Sequence, residues 1–238
     1  MIGIITYDKP HRKTQDLITK LILNGYSELH LIVIPWVERK NFQPIFKHRP
    51  STCVNINIEE LTSRFKLSYS KVDVHNLNSF FSKKIFRHVL IAGAGLLPEE
   101  LVINHKIINA HPGFLPNVKG LDALKWAIYQ EQPIGVTTHY ISEKADEGEL
   151  IKKVIVPIYY EDTFHSLAYR IYETEIEMLV AAIEHVESKG FKVESLADER
   201  FFANKRMPHR LEIVMMDRFE KLRIKSRSFR KKIKDNQV

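Results

Sequence analysis

The sequence predicts an α/β fold: a mostly parallel sheet with helices on its faces, followed by a small helical, basic C-terminal extension. Three observations support this prediction. The length of 238 residues suits one α/β domain with an appendage. A composition of 44% hydrophobic and 27% charged residues is that of a folded protein and excludes disordered and collagen-like chains. The first half alternates short apolar runs with segments of helical periodicity, as βαβ units do.

The elements of the first half follow from these patterns. Short apolar runs predict buried strands at 2–7, 30–35, 88–92 and 107–109. Apolar residues at a spacing of three and four predict a helix at 14–24. A short helix is also predicted at 76–84, and another after Gly120 at 121–129. Pro98, followed by two glutamates, is typical of a helix start. Residues 40–60 are mixed and carry no clear signal.

The second half changes character. Two β-rich stretches, 135–142 and 150–159, flank a polar turn. A long amphipathic helix follows, with Asp162 as its predicted N-cap and Gly190 at its end. Beyond residue 200 the chain is basic, aromatic and rich in methionine. We therefore predict a main domain over 1–200 and an extension over 201–238.

The positive charge is concentrated near the C-terminus. Residues 221–234 hold eight basic residues and no acidic one, so the rest of the chain is close to neutral. Because nucleic-acid proteins usually spread basic residues over a folded face, no nucleic-acid partner is expected. The tail is interpreted either as a solvated helix end or as a helix whose apolar stripe packs on its own core, a second subunit or an anionic membrane surface. That stripe consists of Met215, Phe219, Leu222, Phe229 and Ile233.

Other features limit the compartment and the chemistry. A single cysteine, Cys53, excludes an internal disulfide and a CxxC-type zinc site, and no ligand spacing suggests another metal. The N-terminus lacks a signal-peptide pattern, and no run of 18 apolar residues could span a membrane. The expected location is the cytoplasm.

The stretch 108–120 carries the chemistry. Asn109 and His111 lie two residues apart on a predicted strand, so their side chains project from the same face at its carboxyl end. A neighbouring amide and imidazole can donate hydrogen bonds to an oxygen that gains negative charge. The alternative is that the two side chains satisfy backbone groups at a strand end, and spacing alone leaves both interpretations open.

The motifs resemble those of a known family. Asn109-Ala110-His111-Pro112, Leu115-Pro116 and Gly120 resemble the signature of the 10-formyltetrahydrofolate-dependent formyltransferases. The segment 135–148, with His139 on a strand before Asp146-Glu147-Gly148, is similar to the second motif of that family. The resemblance covers residues 88–160 as motif and implies a Rossmann-like, mostly parallel sheet over about 1–160.

The resemblance also implies roles for individual residues. Asn109, His111 and Asp146 match the catalytic trio, in which the first two hold the formyl oxygen and Asp146 positions His111 and a water. Formyl transfer from 10-formyltetrahydrofolate would need no metal. The folate pterin would contact the turn 92–98 and the loop 143–148, and the residues expected to bind it are Gly95, Leu96, Leu97, Ala145 and Asp146. We interpret His139 as structural.

Subfamilies differ in the amine that accepts the formyl group. The segment 7–13 lacks the glycine-rich phosphate loop of glycinamide ribonucleotide formyltransferases, and the chain is too short for the added domains expected of methionyl-tRNA formyltransferases and formyltetrahydrofolate hydrolases. The segments 120–128 and 201–208 resemble bacterial sugar N-formyltransferases, although His209-Arg210 replaces the acid that usually follows.

This resemblance implies a nucleotide-linked amino sugar as the acceptor. A dTDP- or GDP-linked 4-amino-4,6-dideoxyhexose for surface polysaccharide such as lipopolysaccharide O-antigen is expected. Lys205 and Arg206 are candidate contacts to its phosphates, and Lys9, Arg12 and Lys13 could also meet phosphates. The other acceptors, and a folate- or nucleotide-binding module without catalysis, stay open as alternatives. The oligomeric state is also open, and a homodimer is compatible with the sequence.

Overall fold

The fold is described from a computed structural model over residues 1–38, 42–51 and 53–235. The side chains of residues 227–235 lie outside this description. The tail prediction is therefore covered only in part: Met215, Phe219 and Leu222 of the apolar stripe are described, whereas the side chains of Phe229 and Ile233 are not. Among the described residues, no helix is long and apolar enough to cross a membrane.

A single large sheet of eight strands organises the described chain. Its spatial order is β3-β2-β1-β4-β5-β7-β8-β9, and a separate two-stranded ladder joins β6 to β10. Strands β3, β2, β1, β4 and β5 run parallel, whereas β7, β8 and β9 each pair antiparallel with their predecessor in that order. The strands are β1 Ile2–Tyr7, β2 Leu29–Ile34, β3 Ser68–Lys71, β4 His88–Ile91, β5 Ile107–His111, β6 Lys119–Gly120, β7 Gly135–Tyr140, β8 Glu149–Ile155, β9 Glu194–Ser195 and β10 Ala203–Asn204.

Helices cover both faces of the sheet. One face packs α1, α2, α5, α6 and α7 into the larger core, and the other packs α3 and α4 into a smaller one. The helices are α1 Arg12–Leu23, α2 Ile58–Phe65, α3 Leu77–Lys83, α4 Glu99–Asn104, α5 Ala123–Tyr129, α6 Phe164–Glu187 and α7 His209–Asp235. The central strands β1 and β2 are mostly apolar because both of their faces are buried, and Thr6 and His30 are their buried polar residues. The predicted α/β class with a mostly parallel sheet is confirmed.

The long helix α6 begins one residue later than predicted. Thr163 is its N-cap: the Thr163 side chain accepts a hydrogen bond from the Ser166 amide, and the Ser166 hydroxyl accepts one from the Thr163 amide. Asp162 instead accepts hydrogen bonds from the Tyr159 amide and the Arg170 guanidinium. The helix ends at Glu187, before Gly190, because Ser188 already has an extended backbone.

The C-terminal segment packs against the same core as the rest of the chain. The helix α7 lies on α5, and Met215 and Phe219 are fully buried in the larger core, with Leu222 packed against it. Strand β10 pairs with β6 directly before α5. Of the interpretations of the tail stripe, packing on the protein's own core is therefore confirmed for its described part.

Candidate active site

A cavity of about 990 Å³ opens where the parallel strands end. Its lining comes from the segments that follow β1, β4 and β5, from the loop between β7 and β8, and from residues 203–206. Carboxyl ends of neighbouring parallel strands are the usual ligand position in open α/β sheets. The volume lies at the upper end of the range for small-molecule sites.

Asn109 and His111 both line this cavity from β5. They lie two residues apart on one strand, so their side chains share a face of the sheet, as predicted. His111 is the last residue of β5 and is 5% exposed, and Asn109 is half-buried.

Asp146 reaches His111 although 35 positions separate them in the chain. Tyr140, the last residue of β7, lies opposite Ile108 on β5. The loop that follows returns towards the carboxyl end of β5. The Asp146 Oδ1 atom lies 3.1 Å from Nδ1 of His111. The structure therefore brings together the three residues that the resemblance assigned to catalysis.

His111 is held between two hydrogen-bond acceptors. Its Nδ1 faces the Asp146 carboxylate, and its Nε2 lies 3.0 Å from the carbonyl oxygen of Val118. Because neither partner can donate, both ring nitrogens carry a proton when both bonds are made, which is the imidazolium form. Burial acts to lower the pKa of His111, but the Asp146 carboxylate and the Val118 carbonyl outweigh it, and the pKa is raised.

Asp146 is fixed by a backbone amide as well as by the imidazole. Its Oδ2 accepts a hydrogen bond of 2.7 Å from the Gly120 amide, and its own backbone is in the left-handed region with φ of 55°. Burial acts to raise the pKa of this carboxyl, but His111 and the Gly120 amide outweigh it and lower the pKa to about 2. Asp146 is thus a carboxylate throughout the neutral range.

His139 orients Asn109. The two residues face each other across β5 and β7, with Nε2 of His139 3.4 Å from the Asn109 amide nitrogen. The other ring nitrogen, Nδ1, lies 3.0 Å from the carbonyl oxygen of Glu147. Nδ1 therefore donates and Nε2 accepts, so the ring is neutral, and burial lowers the pKa of His139 to about 4. This arrangement agrees with the structural role expected of His139. It uses one N–H of the Asn109 amide, whose second N–H can donate into the cavity.

The loop after His111 is fastened at two points. The Thr137 hydroxyl on β7 donates to the carbonyl of Gly113 at 2.9 Å and accepts from the amide of Leu115 at 3.0 Å. A Cβ atom at position 113 would lie 2.6 Å from Nε2 of His111 and 2.7 Å from the Val118 carbonyl oxygen. Glycine is required there because the hydrogen bond between His111 and Val118 fills that space.

The residues expected to contact the pterin all line the cavity. The turn 92–97 after β4 contributes Gly95, Leu96 and Leu97, and the loop after β7 contributes Ala145 and Asp146. Their role in folate binding stays a prediction. Among the described residues, no cluster of histidine, cysteine, aspartate and glutamate forms a metal site.

A second part of the lining is rich in cations, and we call it the basic wall. Lys13 and Arg49 both pair with the buried carboxylate of Glu175, with 2.7 Å between Lys13 Nζ and Oε1. His48 is largely buried, and its Nδ1 atom has no hydrogen-bond partner among the described residues. The basic wall consists of Lys9, Lys13, His48, Arg49, Lys205 and Arg206.

Burial and neighbouring cations keep His48 neutral. Burial lowers the pKa of this imidazole to about 3, with further lowering by Arg49, Lys125 and Arg206. Its Nε2 lies 3.8 Å from Oδ1 of Asp122. A neutral imidazole with an unpartnered nitrogen can meet either a donor or an acceptor of a ligand.

Sequence reasoning singled out Lys9, Arg12, Lys13, Lys205 and Arg206, all of which line the cavity, with Arg12 paired to Asp16. It missed His48 and Arg49. These two residues lie in the stretch 40–60, which has no periodicity to predict an element, and they reach the cavity only through long-range contacts. The Gly120 amide was also missed, because a backbone group leaves no side-chain signal at its position.

The sequence model of the formyl transferase family matches residues 88–183, which include the trio. The chain is 32% identical over 103 residues to a methionyl-tRNA formyltransferase of Koribacter versatilis, and the match covers 42% of this chain and 33% of that protein. The chain thus spans a third or less of the length of the first curated relatives that it matches.

Solved structures share the fold over most of the chain. A sugar N-formyltransferase from Shewanella superposes with a TM-score of 0.59 at 19% identity, covering 92% of this chain and 87% of the other. A phosphoribosylglycinamide formyltransferase from Anaplasma phagocytophilum gives 0.57 at 22% identity, covering 85% and 96%. At these identities the likeness shows the fold.

Proposed function

We propose that this chain transfers a formyl group from 10-formyltetrahydrofolate to the amine of a nucleotide-linked amino sugar. Through residues 88–183 it belongs to the formyl transferase family. One observation carries the proposal: Asn109, an imidazolium at His111 and the Asp146 carboxylate meet at a single cavity. The family takes its formyl group from 10-formyltetrahydrofolate.

The cavity suits this donor. The turn 92–97 and the loop 141–146 line it together, so that backbone groups are available to the pterin ring next to Asn109 and His111. The volume leaves room for a second ligand against the basic wall. The two substrates would then meet at the trio.

The reaction requires attack of a neutral amine on the formyl carbon. A bond forms between the amine nitrogen and that carbon, the bond from the carbon to N10 of the folate breaks, and N10 takes up the proton that the amine gives up. Asn109 donates a hydrogen bond to the formyl oxygen as it becomes negative. His111 contributes its fixed positive charge, and its Nδ1 proton is shared between Asp146 and the reacting oxygen. Asp146, which stays ionised, accepts from the attacking amine or from a water beside it.

The basic wall supports an acceptor with an anionic group. Cations outnumber acids among the described residues that line the cavity, and desolvated cations are strong partners for phosphate oxygens. Lys205 and Arg206 lie in the segment that resembles sugar N-formyltransferases. Glycinamide ribonucleotide is the second candidate, because it also carries a phosphate and the solved structures of similar fold include phosphoribosylglycinamide formyltransferases.

A panel of acceptors tests the proposal. Purified protein with 10-formyltetrahydrofolate is incubated with dTDP- and GDP-linked 4-amino-4,6-dideoxyhexoses, glycinamide ribonucleotide and methionyl-tRNA, and formylated products are identified by mass spectrometry. We expect turnover with a nucleotide-linked amino sugar only.

Two variants control the assay. His111→Gln is expected to abolish turnover, whereas His185→Gln, which changes a histidine of α6 outside the cavity, is expected to retain it. Turnover with glycinamide ribonucleotide or methionyl-tRNA alone would overturn the sugar assignment. Folate binding without turnover on any acceptor would favour the non-catalytic alternative.

A further inference from the structure

Glu212 is a buried carboxylate on α7 that joins three separate parts of the chain. Its Oε1 lies 2.5 Å from Nζ of Lys125 on α5, and both side chains are completely buried. Its Oε2 accepts hydrogen bonds from the amides of Ile45 and Phe46, at 2.6 and 3.2 Å. Removing a carboxylate and an ammonium from water costs free energy that their pairing often does not recover. The ion pair with Lys125 is therefore weak evidence that Glu212 serves only to stabilise the fold.

The segment 42–49 has no regular secondary structure, so tertiary contacts such as these hold it in place, together with the packing of Phe46 on the larger core. The first turn of α7 holds it at a second point, where Nε2 of His209 lies 2.8 Å from the carbonyl oxygen of Gln43. Directly after the Glu212 contacts, the segment places His48 and Arg49 in the basic wall.

The contact of Glu212 with Lys125 on α5 also bears on the side of the basic wall that faces His48. Asp122 precedes α5, and its Oδ1 lies 3.8 Å from Nε2 of His48 and 3.9 Å from Nη1 of Arg206. Its Oδ2 accepts a hydrogen bond from the Met207 amide. Glu212 therefore links the segment that carries His48 and Arg49 to the helix that follows Asp122.

We infer that Glu212 is a positioning residue that holds the segment 42–49 so that His48 and Arg49 can bind the phosphate groups of the acceptor. The inference rests on the proposed function for the identity of the acceptor, but not for the anion-binding character of the wall. Glu212 is not among the residues that line the cavity, so it acts through the backbone amides of Ile45 and Phe46.

Two double variants separate the positioning role from a merely structural one. Lys125→Met with Glu212→Leu replaces the buried pair by apolar residues of similar size, a change that proteins often tolerate, and removes the acceptor for the Ile45 and Phe46 amides. Lys125→Gln with Glu212→Gln removes both charges but keeps a carbonyl oxygen that can accept from these amides. Arg170→Met, which breaks an ion pair outside the cavity, is the matched control.

Three measurements are made on the full chain. Steady-state kinetics give KM and kcat for each substrate, calorimetry gives the affinity for inorganic pyrophosphate, and hydrogen exchange follows the amides of Ile45 and Phe46. For the Met–Leu variant we expect KM for the acceptor and Kd for pyrophosphate to rise about tenfold, as for one lost charge-assisted contact. KM for the folate and kcat at saturating acceptor stay at wild-type values, and both amides exchange faster. The Gln–Gln variant and Arg170→Met stay close to wild type.

The results distinguish failure of the inference from failure of the proposed function. If the Met–Leu variant folds and binds pyrophosphate as the wild type does, the inference is overturned, whatever acceptor the enzyme uses. An equal rise in KM for the folate would also overturn it, because a general loss of structure would then be the cause. If no acceptor is formylated, the proposed function fails, and pyrophosphate binding with amide exchange still decides the role of Glu212.

Discussion

The charge on His111 follows from its two partners rather than from its exposure to water. The ring is almost completely buried, which favours the neutral form, yet a carboxylate and a carbonyl oxygen occupy its two nitrogens. The cation is therefore formed before any substrate binds, and no solvent has to reorganise around it during the reaction. Preorganised charge of this kind is the largest contribution to many enzymatic rate enhancements.

Asn109 is expected to contribute through its hydrogen bond to the formyl oxygen. Asn109→Ala removes that donor, and loss of one oxyanion donor typically lowers kcat by about 10²–10³. The folate KM should change little, because other residues, at 95–97 and 145–146, are the ones proposed to bind the pterin. Steady-state kinetics with saturating acceptor provide the measurement, and a kcat within a few-fold of wild type would contradict the assignment.

Asp146→Asn is expected to lower the pKa of His111. Without the carboxylate, burial dominates and favours the neutral ring. In the wild type the folded pKa of His111 is raised above 6.5, so the stabilisation from this pair is complete below pH 6.5 and is lost as the pH rises through the raised value. If formyl transfer needs the imidazolium, the activity falls as the pH rises through the same raised pKa.

An NMR titration of the His111 ring, compared between the wild type and Asp146→Asn, measures this effect. The stabilisation that comes from the lowered pKa of Asp146 depends on pH in the opposite direction. It is complete above pH 3.8 and is lost as the pH falls towards about 2. An unchanged His111 titration in Asp146→Asn would show that the carboxylate does not set this pKa.

Some residues of the candidate site could be predicted from the sequence, and others could not. The side chains of Asn109 and His111 share a strand face, and a spacing of two predicts that directly. Asp146 belongs to a distant loop, and only the resemblance to a family connected it to His111. No residue pattern reports the Gly120 amide or the Val118 carbonyl, because backbone partners depend on where the chain passes.

At the scale of elements, the loop between β5 and β6 depends on a position without a side chain. Gly113→Ala would place a Cβ atom against the hydrogen bond between His111 and Val118. We expect kcat to fall at least about tenfold, because small displacements of a catalytic group cost up to about a hundredfold in rate.

Gly190→Ala is the control for this prediction. Gly190 has a positive φ but open space around it, so its substitution should cost about 1 kcal/mol of stability without affecting kcat. Thermal unfolding and kinetics of both variants provide the measurements. A wild-type kcat for Gly113→Ala would mean that the loop can move without disturbing His111.

Strands and helices with apolar patterns were predicted within a few residues, whereas polar edge elements were not. Strand β3, Ser68–Lys71, lies at the edge of the sheet and is mostly exposed, so its sequence has no apolar run to detect. Helix α2 has only eight residues, and its apolar face is too short to establish a period. The start of α6 was misplaced by one residue because both Asp162 and Thr163 are favourable N-caps.

At the scale of the whole molecule, the C-terminal helix is part of the main core. Phe219 is completely buried between α7 and α6, where its ring contacts Phe164 edge to face. Phe219→Ala should lower the free energy of unfolding by about 3–5 kcal/mol. Ile213→Ala, on the exposed side of the same helix, should change it by less than about 0.5 kcal/mol. Denaturant unfolding of the full chain measures both, and equal effects would contradict this packing.

The two residues Lys205 and Arg206 occupy a span that is tied down at each end. Before them, β10 pairs with β6, and the backbone of Asn204 fills the space beside Gly120 so closely that a Cβ there would lie 2.3 Å from a carbonyl oxygen. After them, the Met207 amide is bound to Asp122. Insertions or deletions within this span would pull on the backbone that holds Asp146, whereas exchanges of side chain would not. Divergence of acceptor preference among related proteins should therefore proceed here by replacement of residues at constant spacing.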